Sequence, residues 1–329
     1  MFTPQSFAVA MLMTVTSAIC WGSWANTYKG TRNYRFELFY WDYAAGIFAI
    51  SLVAAFTLGS WHHDAQSFLA NVRSADGANI GSALLGGAIF NVANLLLVAG
   101  IEMAGLAVAF PISIGIALVV GVVLSYLIQP KGSAVLLGLG VLCAVVAVVM
   151  DGKAYAQLRS QGRSVSRKSV VTCVVSGVLM GSFAPFVTRA LTAGRPLGPY
   201  SIAVFFTLGA LLSCFVVNIY FMRRPLVGQP VSFAGFFAAP ARDHLLGLFG
   251  GAVWGIGTVF NFVAASFTGV AISYAIGQSA PMVAALWGVF VWKEFARAGG
   301  KARIFLALMF LFYILALLLV SRAYTAGAS

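Results

Sequence analysis

Ten stretches of about 20 predominantly apolar residues follow one another along this chain, and no other feature constrains its fold as strongly. At about 1.5 Å per residue, each is long enough to cross the roughly 30 Å of hydrocarbon in a bilayer. Lipid offers backbone groups no hydrogen-bond partner, and the runs lack the two-residue alternation of barrel strands, so each is predicted to be a helix. Spans 1 to 10 are placed at 7–28, 38–59, 80–101, 104–128, 133–151, 169–192, 198–222, 245–266, 269–292 and 303–323. With 61% hydrophobic and 9% charged residues, against about 25% charged in a soluble globule, lipid rather than water must solvate most of the surface.

The formal net charge of +12 is a topology signal. Nucleic-acid binding would need the basic residues gathered on one face, and here they sit in short clusters between apolar runs. Counting Lys and Arg in alternate loops places fifteen of the twenty on one side, in the loops after spans 1, 5, 7 and 9. The positive-inside rule makes that side cytoplasmic and turns both termini outward, in the inner (plasma) membrane. Span 1 lacks the basic leader and small-residue cleavage pattern of a removed signal peptide. Cys20, Cys143, Cys173 and Cys214 lie inside spans at unrelated spacings, so they are expected to pack and not to bridge or bind metal.

The two halves are related. Shifted by 164 residues, Gly86, Gly87, Ala88, Gly105 and Ala107 fall on Gly250, Gly251, Ala252, Gly269 and Ala271. A shift near 159 lays Gly22-Ser23-Trp24-Ala25 on Gly181-Ser182-Phe183-Ala184. Spans 1 to 5 therefore answer to spans 6 to 10, with residues 1–151 as one repeat, 152–168 as a basic linker and 169–329 as the other. Five is odd, so the second copy enters the membrane upside down, which is the inverted-repeat plan of secondary transporters. Gly177-x-x-x-Gly181, Gly247-x-x-x-Gly251 and Gly251-x-x-x-Gly255 provide close helix contacts. Gly255-Ile256-Gly257 follows no strand and lacks a third glycine, so it is not a dinucleotide fingerprint.

A transport site needs polar groups at mid-membrane depth, where each is costly unless it pairs or lines a wet cavity. The candidates are Asn91 and Asn94 on span 3, Trp254, Thr258 and Asn261 on span 8, and Tyr274 and Gln278 on span 9 before Pro281. Amides both donate and accept, which suits a neutral solute with mixed hydrogen-bonding edges. The alternative is that the amides only tie helices together. Trp21 and Trp24 on span 1 offer flat faces for a sugar or a heterocycle, or else belong to an interfacial belt; Tyr40 and Trp41 are assigned to such a belt. Among the acids, Asp42 and Glu102 alone are placed in a span away from an obvious loop, and they are the candidates to carry a coupling proton. His62, His63 and Asp64 lack a further ligand nearby, so no metal is assigned, and nothing implies a cofactor. Paired carboxylates, a nucleophile elbow and a phosphate loop are all missing from the spans, so an enzyme is not expected.

Tyr40-Trp41-Asp42-Tyr43 leading to Ala55-Phe56-Thr57-Leu58-Gly59, the block from Asn94 to Tyr126, Ser182-Phe183-Ala184-Pro185-Phe186, and the block from Gly251 to Glu294 with Gln278-Ser279-Ala280-Pro281 together resemble the ureide permease family of the drug/metabolite transporter superfamily. Trp287-Gly288 with Lys293-Glu294 also resembles glucose/ribose porters and rhamnose-proton symporters of that superfamily. The resemblance implies an all-α polytopic membrane protein with ten transmembrane helices in two inverted five-helix repeats. It further implies secondary active, commonly proton-coupled uptake of allantoin and related oxo-heterocycles such as uracil or xanthine, with sugars as the alternative. Trp24, Asp42, Asn94 and Gln278 match recurrent family residues. The long hydrophilic central loop of the plant members is missing, since residues 152–168 are short and basic. The expected partners are a small polar organic solute, protons and membrane lipid, with the oligomeric state left open. A drug/metabolite exporter and a non-transporting membrane sensor remain rival readings.

Overall fold

The computed structural model describes residues 1–61, 67–158 and 166–326; His62, His63 and Asp64 lie outside the described residues. Helix is the only regular structure among them. Ten helices are long and apolar enough to cross a membrane: Phe7–Lys29, Phe36–Ser60, Gly77–Ala104, Pro111–Ile128, Ala134–Leu158, Arg167–Thr192, Pro199–Arg223, Ala241–Thr268, Val270–Val291 and Gly300–Ala326. They keep the names span 1 to span 10. Span 5 runs to Leu158, well into the stretch expected to be linker, so Asp151 stands inside a helix and not at its end.

The turns between spans 3 and 4 and between spans 8 and 9 are built alike. Span 3 ends at Gly105 (φ 80°, ψ 166°) and span 8 at Gly269 (φ 88°, ψ 150°), a backbone conformation that residues with a Cβ rarely adopt. One residue lets the chain reverse without a loop.

Glycine contacts repeat at the same offsets. A Cβ on Gly87 would overlap the Phe206 carbonyl, and one on Gly251 the Tyr43 carbonyl. Gly209 faces the Leu84 carbonyl and Gly46 the Leu248 carbonyl. Gly181 abuts the Ala117 carbonyl and the Val120 side chain, and Gly22 the Ala280 carbonyl and the Val283 side chain. Without a Cβ at these points the backbones approach closely, which is how membrane helices associate when burial against lipid gains little. Spans 3 and 7 thus pack as spans 8 and 2 do, and spans 6 and 4 as spans 1 and 9 do. Spans 5 and 10, equivalent by the same offset, pack against each other.

Two members depart from this likeness. Span 4 passes Pro111 as one continuous helix, Leu106–Ile128. Its counterpart, span 9, is discontinuous: helix over Val270–Gly277, a break at Gln278 and Ser279, helix over Ala280–Leu286, then a π-helical turn over Trp287–Val291. Pro281 sits at the start of the second helix, where its missing N–H costs no helical bond.

Candidate functional site

The centre of the bundle is aromatic. Phe90 of span 3 and Trp254 of span 8 stack with ring centroids 4.4 Å apart and an interplanar angle of 25°. Around Trp254 lie Trp21 at 5.8 Å and Tyr43 at 6.4 Å, and Trp24 packs on Tyr43 at 4.7 Å. Around Phe90 lie Phe206 at 5.6 Å and Phe183 at 6.0 Å. These two sets are equivalent by the internal offset, Trp24 answering to Phe183 and Tyr43 to Phe206. The first set carries indole and phenol groups, the second only phenyl rings, so hydrogen-bonding capacity is concentrated on the side of spans 1, 2 and 8.

The expected site residues separate into occupied and unoccupied ones. Asn91 Nδ2 donates to Ser213 Oγ at 2.7 Å. Asn261 Nδ2 donates to the Ser273 carbonyl at 3.1 Å, and Ser273 Oγ donates to the Asn261 carbonyl at 2.9 Å, tying span 8 to span 9. Tyr274 donates to the Met180 carbonyl at 3.3 Å and the Ala117 carbonyl at 3.4 Å. Thr258 accepts from Trp21 Nε1 at 3.1 Å and donates to the Trp254 carbonyl at 3.1 Å. These groups hold helices together.

Asn94 and Gln278 stand apart. Asn94 Nδ2 is buried with no hydrogen-bond partner among the described residues. The same is true of the Tyr40 and Tyr43 hydroxyls, whose rings are 5.4 Å apart. Asn94 lies beside the Tyr40 hydroxyl. Asn94 and Tyr40 are near enough to serve each other without making a bond of good geometry, and the Tyr43 hydroxyl has no partner among the described residues; an unpaired buried donor costs about 1–3 kcal/mol, so hydrogen-bonding capacity is left unmet here. Gln278 sits at the break of span 9, 8% exposed, next to Gly277, where a Cβ would meet the Trp21 ring and the Asn261 amide.

Tyr40 and Trp41 do not form an interfacial belt. Tyr40 is wholly buried, and Trp41, 9% exposed, donates to Met222 Sδ and packs on Phe215 and Phe233. The neighbouring spans 7 and 8 cover this end of span 2, which its own sequence does not reveal. Trp21 and Trp24 likewise belong to the central cluster.

The acids are placed differently from one another. Asp42 Oδ2 accepts from the Tyr34 hydroxyl at 2.8 Å and lies 2.9 Å from His244 Nδ1, with Tyr34 Oη 3.4 Å from the same nitrogen. Burial, reinforced by the bond and charge of Asp42, holds the Tyr34 phenol far above its ordinary range, so it donates and does not ionise. His244 was not among the expected site residues; it follows immediately on Asp243 at the start of span 8, where it reads as part of a loop. Glu102, at the end of span 3, lies within electrostatic range of Arg35 and Glu37 and away from the aromatic centre. Arg35 pairs with Glu37, which holds its guanidinium above its ordinary value. Lys29 pairs with Glu294 at 2.6 Å, while Trp292 donates to Asn26 at 2.6 Å and Trp287 to Ser23 at 2.8 Å, so spans 1 and 9 are latched at the face bearing the basic loops. On the opposite face Asp76 accepts from the Arg195 backbone and side chain, both at 2.9 Å.

A family model described as ureide permease matches residues 39–168 and 169–322, nearly the whole chain in two consecutive blocks. Ureide permease 2 of Arabidopsis thaliana is 22% identical over 84% of this chain and 86% of its own length. Ureide permease 4 of the same plant is 21% identical over 96% of this chain and 97% of its own. One solved crystal structure superposes with a TM-score of 0.66 over 96% of this chain and 99% of its own, at 17% identity, a likeness of fold.

Proposed function

This chain belongs to the ureide permease family, and from that premise we propose that it is a carrier, not an enzyme, that imports a small, neutral, carbonyl-rich heterocycle such as allantoin, uracil or xanthine across the plasma membrane. The observation that carries the substrate class is the group of buried polar side chains without well-formed hydrogen bonds, Tyr40, Tyr43 and Asn94, beside the rings of Trp24 and Trp254. Donors without partners favour a solute whose edge is rich in carbonyl oxygens, and a planar ring gains a further ~0.5–1.5 kcal/mol by stacking. Gln278, at the break of span 9, supplies a donor and an acceptor from the other side.

The two equivalent halves support alternating access, with the pseudo-twofold axis in the membrane plane and the basic loops on the cytoplasmic side, so that both termini face outward. Opening inward requires the latch of span 1 to span 9 to separate; opening outward requires release of Asp76 from Arg195. Uptake is driven by protons, with Asp42 handling the proton near the cytoplasmic face through Tyr34 and His244. Sugars are the second reading, carried by Trp287-Gly288 and Lys293-Glu294, and their excess of hydroxyl donors suits a donor-rich pocket less well.

Uptake of labelled allantoin, uracil, xanthine and several sugars into proteoliposomes, with and without a pH gradient, tests the proposal. Saturable heterocycle uptake that unlabelled heterocycle competes away is the expected result. Uptake of sugars alone would overturn the substrate class, and failure of every solute to exchange in counterflow would overturn the carrier.

A further inference from the structure

Asp151 is 1% exposed, inside the span 5 helix, and its Oδ1 has no hydrogen-bond partner among the described residues. Its ionisable neighbours are phenols: Tyr155 one turn on along the same helix, and Tyr313 of span 10. Tyr155 donates to Glu294, which Lys29 already neutralises. Lys153 turns away to lie over the Phe305 ring, and Lys301 and Arg303 at the start of span 10 are exposed. Span 4, also packed on span 5, has Tyr126 as its one ionisable residue, bonded to the Gly132 carbonyl near the far end. Among the described residues no cation is therefore placed to compensate a charge on Asp151, and a lone buried carboxylate is costly enough that the neutral acid is the stable form.

Tyr313 connects this acid to the transport site. Its hydroxyl is buried and unpaired, and its ring lines one crevice together with Leu118, Ala144, Ile276 and Ser279. Ser279 adjoins Gln278 at the break in span 9. The crevice thus joins the span 9 break to Tyr313, which lies within electrostatic range of Asp151.

We propose that Asp151 is an intramembrane proton site, which binds the coupling proton as a neutral acid and gives it up when span 9 rearranges and lets water reach Tyr313. The inference rests on the carrier reading above for its role in coupling, but not for the protonation itself. It makes Asp151 a site distinct from Asp42, which is already bonded to Tyr34 and His244.

Infrared difference spectroscopy of purified protein at neutral pH reads the proton directly. A protonated-carboxyl band lost in Asp151→Asn, retained in Asp42→Asn and shifted in Tyr313→Phe is expected. A wild-type spectrum without a band assignable to Asp151 overturns the proposal whatever the substrate proves to be. In proteoliposomes, an inward gradient of one pH unit is worth about tenfold accumulation for one proton per solute. Asp151→Asn should fall toward a ratio of one while counterflow exchange continues, and undiminished accumulation overturns the coupling role. If Asp151→Asn does not fold, Tyr313→Phe carries the transport test, with a reduced accumulation ratio expected and an unchanged one counting against the proposal. If no heterocycle moves even in the wild type, the carrier reading fails and the band alone decides Asp151.

Discussion

Phe90 and Trp254 occupy equivalent positions in the two halves of the chain, 164 residues apart, and their rings are stacked on each other with centroids 4.4 Å apart. In the inverted-repeat arrangement that the proposed carrier requires, residues related by the twofold axis touch each other only beside it, which would set this pair at the middle of the bundle. Any rocking of one half against the other has to slide or part these rings. Trp254 also borders the hydrogen-bonding side of the cluster through Trp21 and Tyr43, so in the proposed carrier cycle it would serve both the pivot and the solute.

Trp254→Phe makes the pair symmetrical while keeping an aromatic face. It should fold, keep the pivot and bind heterocycle about 2- to 10-fold more weakly, the equivalent of ~0.5–1.5 kcal/mol of stacking. Trp254→Ala should lose transport altogether. Isothermal titration and counterflow measure the two effects; equal binding by wild type and Trp254→Phe would remove the indole from the site.

Tyr43→Phe tests whether an unmet donor is kept for a solute. Removing the hydroxyl relieves a buried group without a partner, so the unliganded protein should melt higher, by the equivalent of up to ~1–3 kcal/mol. Heterocycle affinity should move in the opposite direction, by about 3- to 10-fold, for the loss of one hydrogen bond. Thermal melts with and without ligand give both signs from one sample. A lower melting temperature without ligand would mean that the hydroxyl has a structural partner.

Sequence patterning made the scaffold legible and left the chemistry half hidden, for identifiable physical reasons. Long apolar runs place the spans because lipid imposes length directly, and Gly105 and Gly269 announce the two tight reversals. Pro281 points to the broken span 9, although Pro111 in the counterpart span 4 breaks nothing, since neighbouring helices decide whether a proline is absorbed. Tyr40 resembles a belt residue because a tyrosine near a helix end is ambiguous until its neighbours are known. Asp151 escapes notice in the sequence because the predicted span 5 ends on it, beside a basic stretch that reads as loop, whereas the helix continues to Leu158. His244 has no motif around it; only the fold brings it to Asp42.

Gly251→Val and Gly87→Val should fail alike. Each added side chain meets the carbonyl of a facing helix, Tyr43 in one case and Phe206 in the other, with no flexible group to yield. Overpacking of this kind costs about 1–3 kcal/mol or more, and both variants should lower the melting temperature and the monodisperse fraction on size exclusion. Substitution at Gly81, which has open space around it, is the control. A large difference between Gly87→Val and Gly251→Val would count against the equivalence of the halves.

The bond of Asp76 to Arg195 has a defined pH signature. The Arg195 backbone and side-chain donors hold the Asp76 carboxyl below its ordinary value. A depressed folded value means that the contribution is present above the unfolded aspartate value, about 3.9, and fades as the pH falls through the lower folded value. Asp76→Asn should therefore melt slightly below wild type at pH 5 to 8 and converge with it in strong acid. The pair is exposed, so the gap should be small. A gap that widens as the pH falls would contradict the assignment.

Asp42→Asn separates proton handling from architecture at the other face. Asparagine keeps an oxygen that can accept from Tyr34 but brings no charge to His244, so the link from span 2 to span 8 weakens without being lost. The protein should remain folded, with a melting temperature lower by the equivalent of ~1–2 kcal/mol, in line with a charged hydrogen bond in a partly exposed setting. Counterflow should continue, because exchange needs no net proton movement, while gradient-driven accumulation should fall. His244→Gln should reproduce the kinetic part if the histidine passes the proton on, and only the stability part if it merely braces Asp42. Full accumulation in Asp42→Asn with a lowered melting temperature would make the Tyr34–Asp42–His244 cluster a brace, and would leave Asp151 as the acid to examine for coupling.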